Sequence, residues 1–165
     1  MQRALAFYKL RGDAEPLQVE TLLFLQKAVN SAYDEGVAAY EAGKLNARVS
    51  RQHAIGVYMD GIVRSRLKNL FTDFSIPYGP GGDITINNRD YDTSTPQKTY
   101  KLPDARVGDL SYDWTLAPKT ISDDQIQGFF NADSKPRGVV IIRPTKIGKT
   151  STYLIPRPPE TPSEK

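Results

Sequence analysis

With 165 residues, 39% of them hydrophobic and 25% charged, the chain has the size and composition of one globular domain with room for a small helical extension. It has no cysteine and a single histidine, His53. That excludes disulfides, thiol nucleophiles, cysteine-bound zinc, base deaminases of the usual cysteine-containing type, and mechanisms built on a histidine pair.

Any catalyst here must use carboxylates, lysine, hydroxyls or a bound metal. The formal charge of +3 and the pI near 9.0 permit a nucleic-acid partner without demanding one. The basic residues group in two stretches, one holding Arg48, Arg51, Arg64, Arg66 and Lys68, the other Lys135, Arg137, Arg143, Lys146 and Lys149. Both are equally readable as solvated faces.

Residues 1–10 carry Arg3 and Lys9 without an apolar stretch and do not read as a signal peptide. No apolar run approaches the roughly 18–20 residues that cross a membrane. Passage across membranes must then be carried from outside this sequence. Over residues 16–42, Leu17, Leu22, Leu25, Val29, Tyr33 and Val37 recur at helical spacing, and Gly43 supplies a stop. A second helix is predicted from Asn46 or Ser50 to Phe71, with Ile55, Met59, Ile62, Val63, Leu67 and Leu70 as its apolar stripe.

The pattern changes after the turn cluster at residues 78–82. A short strand is expected over residues 84–86, then a polar loop over 87–96. Two strands, 98–107 and 110–116, are joined by Gly108-Asp109. The second alternates, with Leu110, Tyr112, Trp114 and Leu116 on one face and Ser111, Asp113 and Thr115 on the other. Ser122 is the expected cap of a short helix reaching Ala132. The unbroken apolar run at residues 138–143 predicts a strand buried on both faces. A last strand is expected over 151–155, and a disordered Pro- and Glu-rich tail over 156–165. The Gly148-Lys149-Thr150 triplet is not a P-loop, because Arg143 stands where that motif needs glycine.

Three polar residues fall together on the hairpin. Asp104 ends the first strand, Asp113 lies on the polar face of the second, and Lys119 follows six residues later on the same face if the chain stays extended past Pro118. Two carboxylates and an ammonium on adjacent strands suit metal-assisted phosphodiester hydrolysis, with Mg²⁺ as the expected hard cation and Mn²⁺ or Zn²⁺ as alternatives. The plainer reading is a surface hairpin with salt-bridged polar positions. His53 reads as a surface or packing residue, and Tyr91, Tyr100 and Trp114 as packing aromatics.

The segment from Leu102-Pro-Asp104 through Asp113 to Lys119 resembles the P-D…(D/E)-x-K stretch of the restriction-endonuclease-like superfamily. Gln125-Ile-Gln-Gly-Phe-Phe130 and Arg137-Gly-Val-Val-Ile-Ile-Arg-Pro144 resemble the following helix and strand in polymorphic-toxin nucleases of that type. The resemblance covers residues 50–155. It implies an α/β domain with a mixed central sheet and flanking helices, in the core order helix, three strands, helix, strand. An N-terminal helical segment (residues 1–45) would precede a nuclease domain (46–155).

By the same resemblance, Asp104 corresponds to a metal-binding aspartate and Lys119 to the catalytic lysine. Asp60 corresponds to an acidic residue of the first core helix and a third metal ligand, and Gln125 to a helix glutamine near the metal. The sequence departs from the family at Ala117, where the acidic residue two before the lysine is missing. Asp113, or else Ser111 or Thr115, would have to supply that ligand. The function so implied is a toxin exported as part of a larger protein. It would cut DNA or tRNA in the cytoplasm of a competing bacterium, and a cognate immunity protein with an acidic surface would neutralise it. The alternative is a non-catalytic module that binds nucleic acid or protein through the same basic sheet.

Overall fold

The computed structural model describes residues 1–148 and 151–161. Three helices come first: α1 (Gln2–Arg11), α2 (Glu15–Glu41) and α3 (Arg51–Asp73). The strands β1 (Ile84–Ile86), β2 (Asp90–Asp92), β3 (Thr99–Lys101), β4 (Ala105–Val107) and β5 (Leu110–Trp114) follow, then α4 (Asp124–Asn131), β6 (Gly138–Ile142) and β7 (Thr152–Pro156). The protein is therefore α/β, with a five-stranded mixed sheet in the order β1-β4-β5-β6-β7. Strands β5 and β6 pair in parallel, joined by α4 as crossover, and every other pair is antiparallel.

The sheet separates two apolar clusters. On one side α1, α2 and α3 pack against Val107, Tyr112, Trp114, Val140 and Ile142. On the other, Ile126, Phe129 and Phe130 of α4 pack against Val139, Ile141 and Ile155. Strand β6 is buried on both faces as its apolar run predicts, each side chain contributing about 1.5–3 kcal/mol. The N-terminal helices belong to the same core as the sheet: Leu17, Leu25 and Val29 lie in one cluster with Val107 and Tyr112. The Tyr112 hydroxyl donates to Gln18 O at 2.8 Å, and Gln18 Nε2 donates to Val107 O at 2.8 Å.

Local chemistry accounts for the helix ends. The Ser50 hydroxyl accepts from His53 N at 3.2 Å and starts α3. Asp123, not Ser122, holds the N-cap position of α4, without a side-chain cap bond; its carboxylate accepts from Thr120 N. Helix α1, absent from the sequence reading, is stopped by Gly12 in a left-handed conformation (φ 67°). At Gly108 (φ 59°) the β4–β5 turn needs the same freedom.

Three expectations change. The strand predicted over residues 98–107 is broken at Leu102-Pro103-Asp104: its first half is β3, which leaves the main sheet and pairs with β2. Proline has no N–H for a ladder, and the break frees Asp104 from strand pairing. The polar loop at 87–96 accordingly contains β2. Pro156, expected to open a disordered tail, instead ends β7. Arg157 is also fixed, its guanidinium donating to Pro136 O at 2.8 Å and to Phe130 O at 2.9 Å. The rest of that tail from residue 162, and the Lys149 and Thr150 of the rejected P-loop, lie outside the described residues.

Candidate functional site

Strand β5 brings the polar residues together, and it does so under cover. Ser111 and Asp113 are 0% and 4% exposed, so the expected polar face lies against the α4 side of the sheet. A salt-bridged surface hairpin is thereby ruled out for these positions. Asp104 sits deep among protein groups just ahead of β4, while part of its surface still reaches solvent. Its Oδ2 accepts the Trp114 N–H at 2.8 Å, and its carbonyl accepts the Asn87 N–H at 2.9 Å.

The Asp104 and Asp113 carboxyls lie within hydrogen-bonding reach of each other. Two carboxylates in contact cannot both stay ionised cheaply. Burial, then the charges of Asp113 and Asp60, raises Asp104 well above the usual carboxylate range, against a pull downward from the Trp114 N–H. Burial also raises Asp113, partly offset by its bond to Asp104 and by Lys119. Asp113 Oδ2 is buried with no N–H or O–H donor among the described residues, and the Ser111 hydroxyl nearby on the strand is likewise unpartnered. An orphaned buried carboxylate oxygen beside a second carboxylate is a donor set that suits a hard divalent cation.

Lys119 arrives by a different path from the one predicted. The chain bends at Leu116 and Ala117, so β5 does not stay extended to Pro118. Two side chains from beyond the site hold the bend. Arg143 donates through Nε and Nη2 to Leu116 O at 3.2 and 2.8 Å. The Tyr153 hydroxyl accepts from Lys119 N at 2.7 Å and donates to Lys119 O at 2.6 Å. So placed, Lys119 Nζ donates to Gln125 Oε1 at 3.0 Å, and Gln125 Nε2 reaches Asp113 Oδ1 at 3.5 Å. Asp113, Gln125 and Lys119 form one chain of contacts at the start of α4.

Asp60 is not free in the same way. Its Oδ1 accepts from Trp114 Nε1 at 2.8 Å and its Oδ2 from Arg64 at 2.7 Å. It bears on the aspartate pair through charge and through Trp114, which bonds Asp60 by its indole and Asp104 by its backbone. Among the described residues, no three His, Cys, Asp or Glu side chains converge to hold a metal. Of the three aspartates expected to share a site, Asp104 and Asp113 are in direct contact, and Asp60 is linked to Asp104 through Trp114.

At Ala117 the missing carboxylate leaves an exposed position, and Thr115 Oγ1 is engaged by Ala117 N at 3.2 Å. His53 is exposed on α3 and lines a cleft of about 440 Å³ with Asp60, Trp114 and Ala117. Tyr153 carries no motif and Trp114 reads as packing. Only their contacts across the sheet reveal their place at the site.

Four of the ten cations in the two basic stretches are engaged in ion pairs among the described residues. Arg64 pairs with Asp60, Arg66 with Glu35, Arg137 with Asp109 and Lys146 with Asp34. No helix is long and apolar enough to cross a membrane among the described residues. Compared with protein-family models, curated proteins and solved structures, the chain matches none.

Proposed function

We propose that this chain is a metal-dependent nuclease that hydrolyses nucleic-acid phosphodiester bonds at the Asp104–Asp113 pair. The observation that carries the reading is the buried Asp113 oxygen left without a donor, facing Asp104 and one glutamine away from Lys119. A purely structural carboxylate pair would be expected to find donors for its oxygens, because an unsatisfied buried polar group costs about 1–3 kcal/mol.

Asp104 and Asp113 would hold the divalent cation, Mg²⁺ by the all-oxygen chemistry of the donors. When bound, the cation would supply an acidified water and offset charge on the phosphate. Lys119 lies within reach of the same space and would screen charge developing on the phosphate oxygens. Gln125 orients the Lys119 ammonium, and Tyr153 and Arg143 fix the backbone that carries it. Asp60 positions Trp114, whose backbone N–H orients Asp104.

What supports a restriction-endonuclease-like core is the order of the main-sheet strands and helices, α3, β1, β4, β5, α4, β6 once the β2–β3 hairpin is set aside, with β5 and β6 parallel. The wider setting is proposed on that resemblance: a toxin delivered into the cytoplasm of a competing bacterium and blocked by an immunity protein with an acidic surface.

The test incubates purified protein with plasmid DNA and, separately, with total tRNA, in Mg²⁺, Mn²⁺, Zn²⁺ or EDTA. Wild type should cut one substrate only with metal, and Lys119→Ala should stay folded and lose at least about a hundredfold in rate, as loss of a preorganised charge-stabilising group does. Induced expression inside a bacterium should arrest growth for wild type and spare it for Lys119→Ala. A folded Lys119→Ala protein that cuts at the wild-type rate would defeat the lysine assignment. The second reading, a binding module without catalysis, is favoured by the exposed Ala117 and by the lack of a third converging carboxylate; binding without cutting under every metal would establish it.

A further inference from the structure

A second cavity, of about 730 Å³, opens beside the strand break at residues 102–104. Asn87, Asn88, Arg89, Tyr91, Leu102 and Arg106 line it. It lies beside the Asp104 backbone, since the N–H of its lining residue Asn87 donates to the Asp104 carbonyl and Leu102 lies two residues before that aspartate. Its volume is within the range of small-molecule sites, roughly 300–1,000 Å³.

The β2–β3 hairpin gives this cavity its chemistry. Tyr91 and Tyr100 are register partners whose rings meet edge-on at 5.8 Å. The Arg89 guanidinium lies 4.5 Å from the Tyr100 ring centre, and the Lys98 ammonium 4.8 Å from that of Tyr91. Tyr100 is 44% exposed. Among the described residues neither Arg89 nor Lys98 forms an ion pair, in contrast to Arg64, Arg66, Arg137 and Lys146.

Lys98 holds a left-handed backbone (φ 46°), an unfavourable conformation for a long side chain. The other three charges on the wall are already engaged, Asp90 by the Ser134 hydroxyl at 2.5 Å, Asp133 by Thr93 at 2.9 Å, and Arg106 by the Gly82 and Gly108 carbonyls at 2.6 and 3.0 Å. Two arginines against two aspartates leave the wall balanced in formal charge. Binding there would rest on stacking and on the amides of Asn87 and Asn88, with a single phosphate contact in support.

We propose that the cavity and the Arg89–Tyr100 stack beside it bind an unstacked nucleobase and its adjoining phosphate, holding a single-stranded stretch of nucleic acid next to Asp104. For its ligand class the assignment rests on the nuclease reading. Aromatic and guanidinium faces accept any base, so the site tolerates sequence and selects for strands whose bases can splay.

The experiment measures fluorescence anisotropy of fluorescein-labelled single-stranded dodecamers, one DNA and one RNA, in EDTA so that nothing is cut. Arg89→Ala and Tyr100→Ala should each weaken binding at least about fivefold, the lower end expected for losing one base–aromatic stack. Tyr100→Phe keeps the ring and should bind within about twofold of wild type. Arg89→Ala should also reduce the slope of log affinity against log salt by about 0.7. Far-UV circular dichroism and melting curves confirm that each variant is folded.

Tighter binding of either strand supports the site and names the preferred sugar. Wild-type affinity in both alanine variants overturns it, as does the absence of measurable binding to both strands. Binding that depends on Arg89 and Tyr100 in a protein that cuts with no metal keeps the site and removes the nuclease reading. Metal-dependent cutting by variants that bind like wild type does the reverse.

Discussion

Replacing Asp104 by asparagine should stabilise the metal-free protein while abolishing its activity. The amide is nearly isosteric with the carboxyl, and its oxygen keeps the bond from the Trp114 N–H at 2.8 Å. Its NH₂ faces Asp113, whose Oδ2 has no donor. One new hydrogen bond to a charged acceptor is worth about 2 kcal/mol. For a domain of this size that corresponds to a rise in Tm of about 4–8 °C.

The sign depends on pH in a defined way. Both aspartates are raised in the folded state, Asp104 by burial and then by the charges of Asp113 and Asp60, Asp113 chiefly by burial, so the fold holds protons that the unfolded chain releases near the ordinary carboxylate range. Their favourable contribution is complete below the unfolded pKa and is lost as pH climbs through the folded one. Wild-type Tm in EDTA should therefore fall as pH rises from about 4 toward neutrality, to the extent these two groups govern it. Asp104→Asn should flatten that fall, and its advantage over wild type should widen with pH. Differential scanning fluorimetry in EDTA at a series of pH values reads all of this. A Tm lowered by the substitution at neutral pH, or an unchanged pH profile, would refute the shared-proton account of the pair.

Tyr153→Phe removes both bonds to the Lys119 backbone, so it should lower stability by about 1–2 kcal/mol by denaturant melting. Its rate should fall about tenfold in kcat with little change in KM, since the lysine would be misplaced while the substrate surface stayed intact; an unchanged kcat would remove Tyr153 from the positioning of Lys119. Trp114 is the sole tryptophan and touches both Asp104 and Asp60, so titration with Mg²⁺ or Mn²⁺ should change its emission saturably in wild type and not in Asp104→Asn. A flat wild-type titration through millimolar metal would count against a cation at this pair. Gly108→Ala forces a β-carbon onto a left-handed backbone and within 3.2 Å of Ala14 Cβ. It should lower the denaturation midpoint by about 1–2 kcal/mol equivalent, and an unshifted midpoint would show the turn relaxing freely.

Periodicity and composition were enough to place α2, α3, α4, the β4–β5 hairpin and β6, because each is a local pattern of apolar spacing ended by a turn or capping residue. Strand position and residue type were also enough to single out Asp104, Asp113 and Lys119, and the family resemblance added Gln125; the structure brings the four into one cluster. Helix α1 escaped because its burial is confined to Ala4 and Leu5, too little for a stripe.

The rest depended on contacts between residues far apart in the chain. Whether the polar face of β5 meets water or protein is decided by α4 lying over it, which no alternation along β5 can encode. The break at Pro103 was written in the sequence, but the departure of β3 to pair with β2 was not, because strand pairing is a choice among distant partners. Lys119 reaches Gln125 because Arg143 and Tyr153, more than twenty residues downstream, hold a bend that local propensity leaves undetermined. Asp60 depends on such contacts too, because Trp114 and Arg64 each donate to one of its oxygens and so fix where its carboxylate lies. Sequence thus named the chemical groups, through patterns repeating within a few residues. Tertiary packing chose which of them meet around the buried, unsatisfied Asp113 oxygen, since burial and hydrogen-bond partnership belong to the folded chain as a whole.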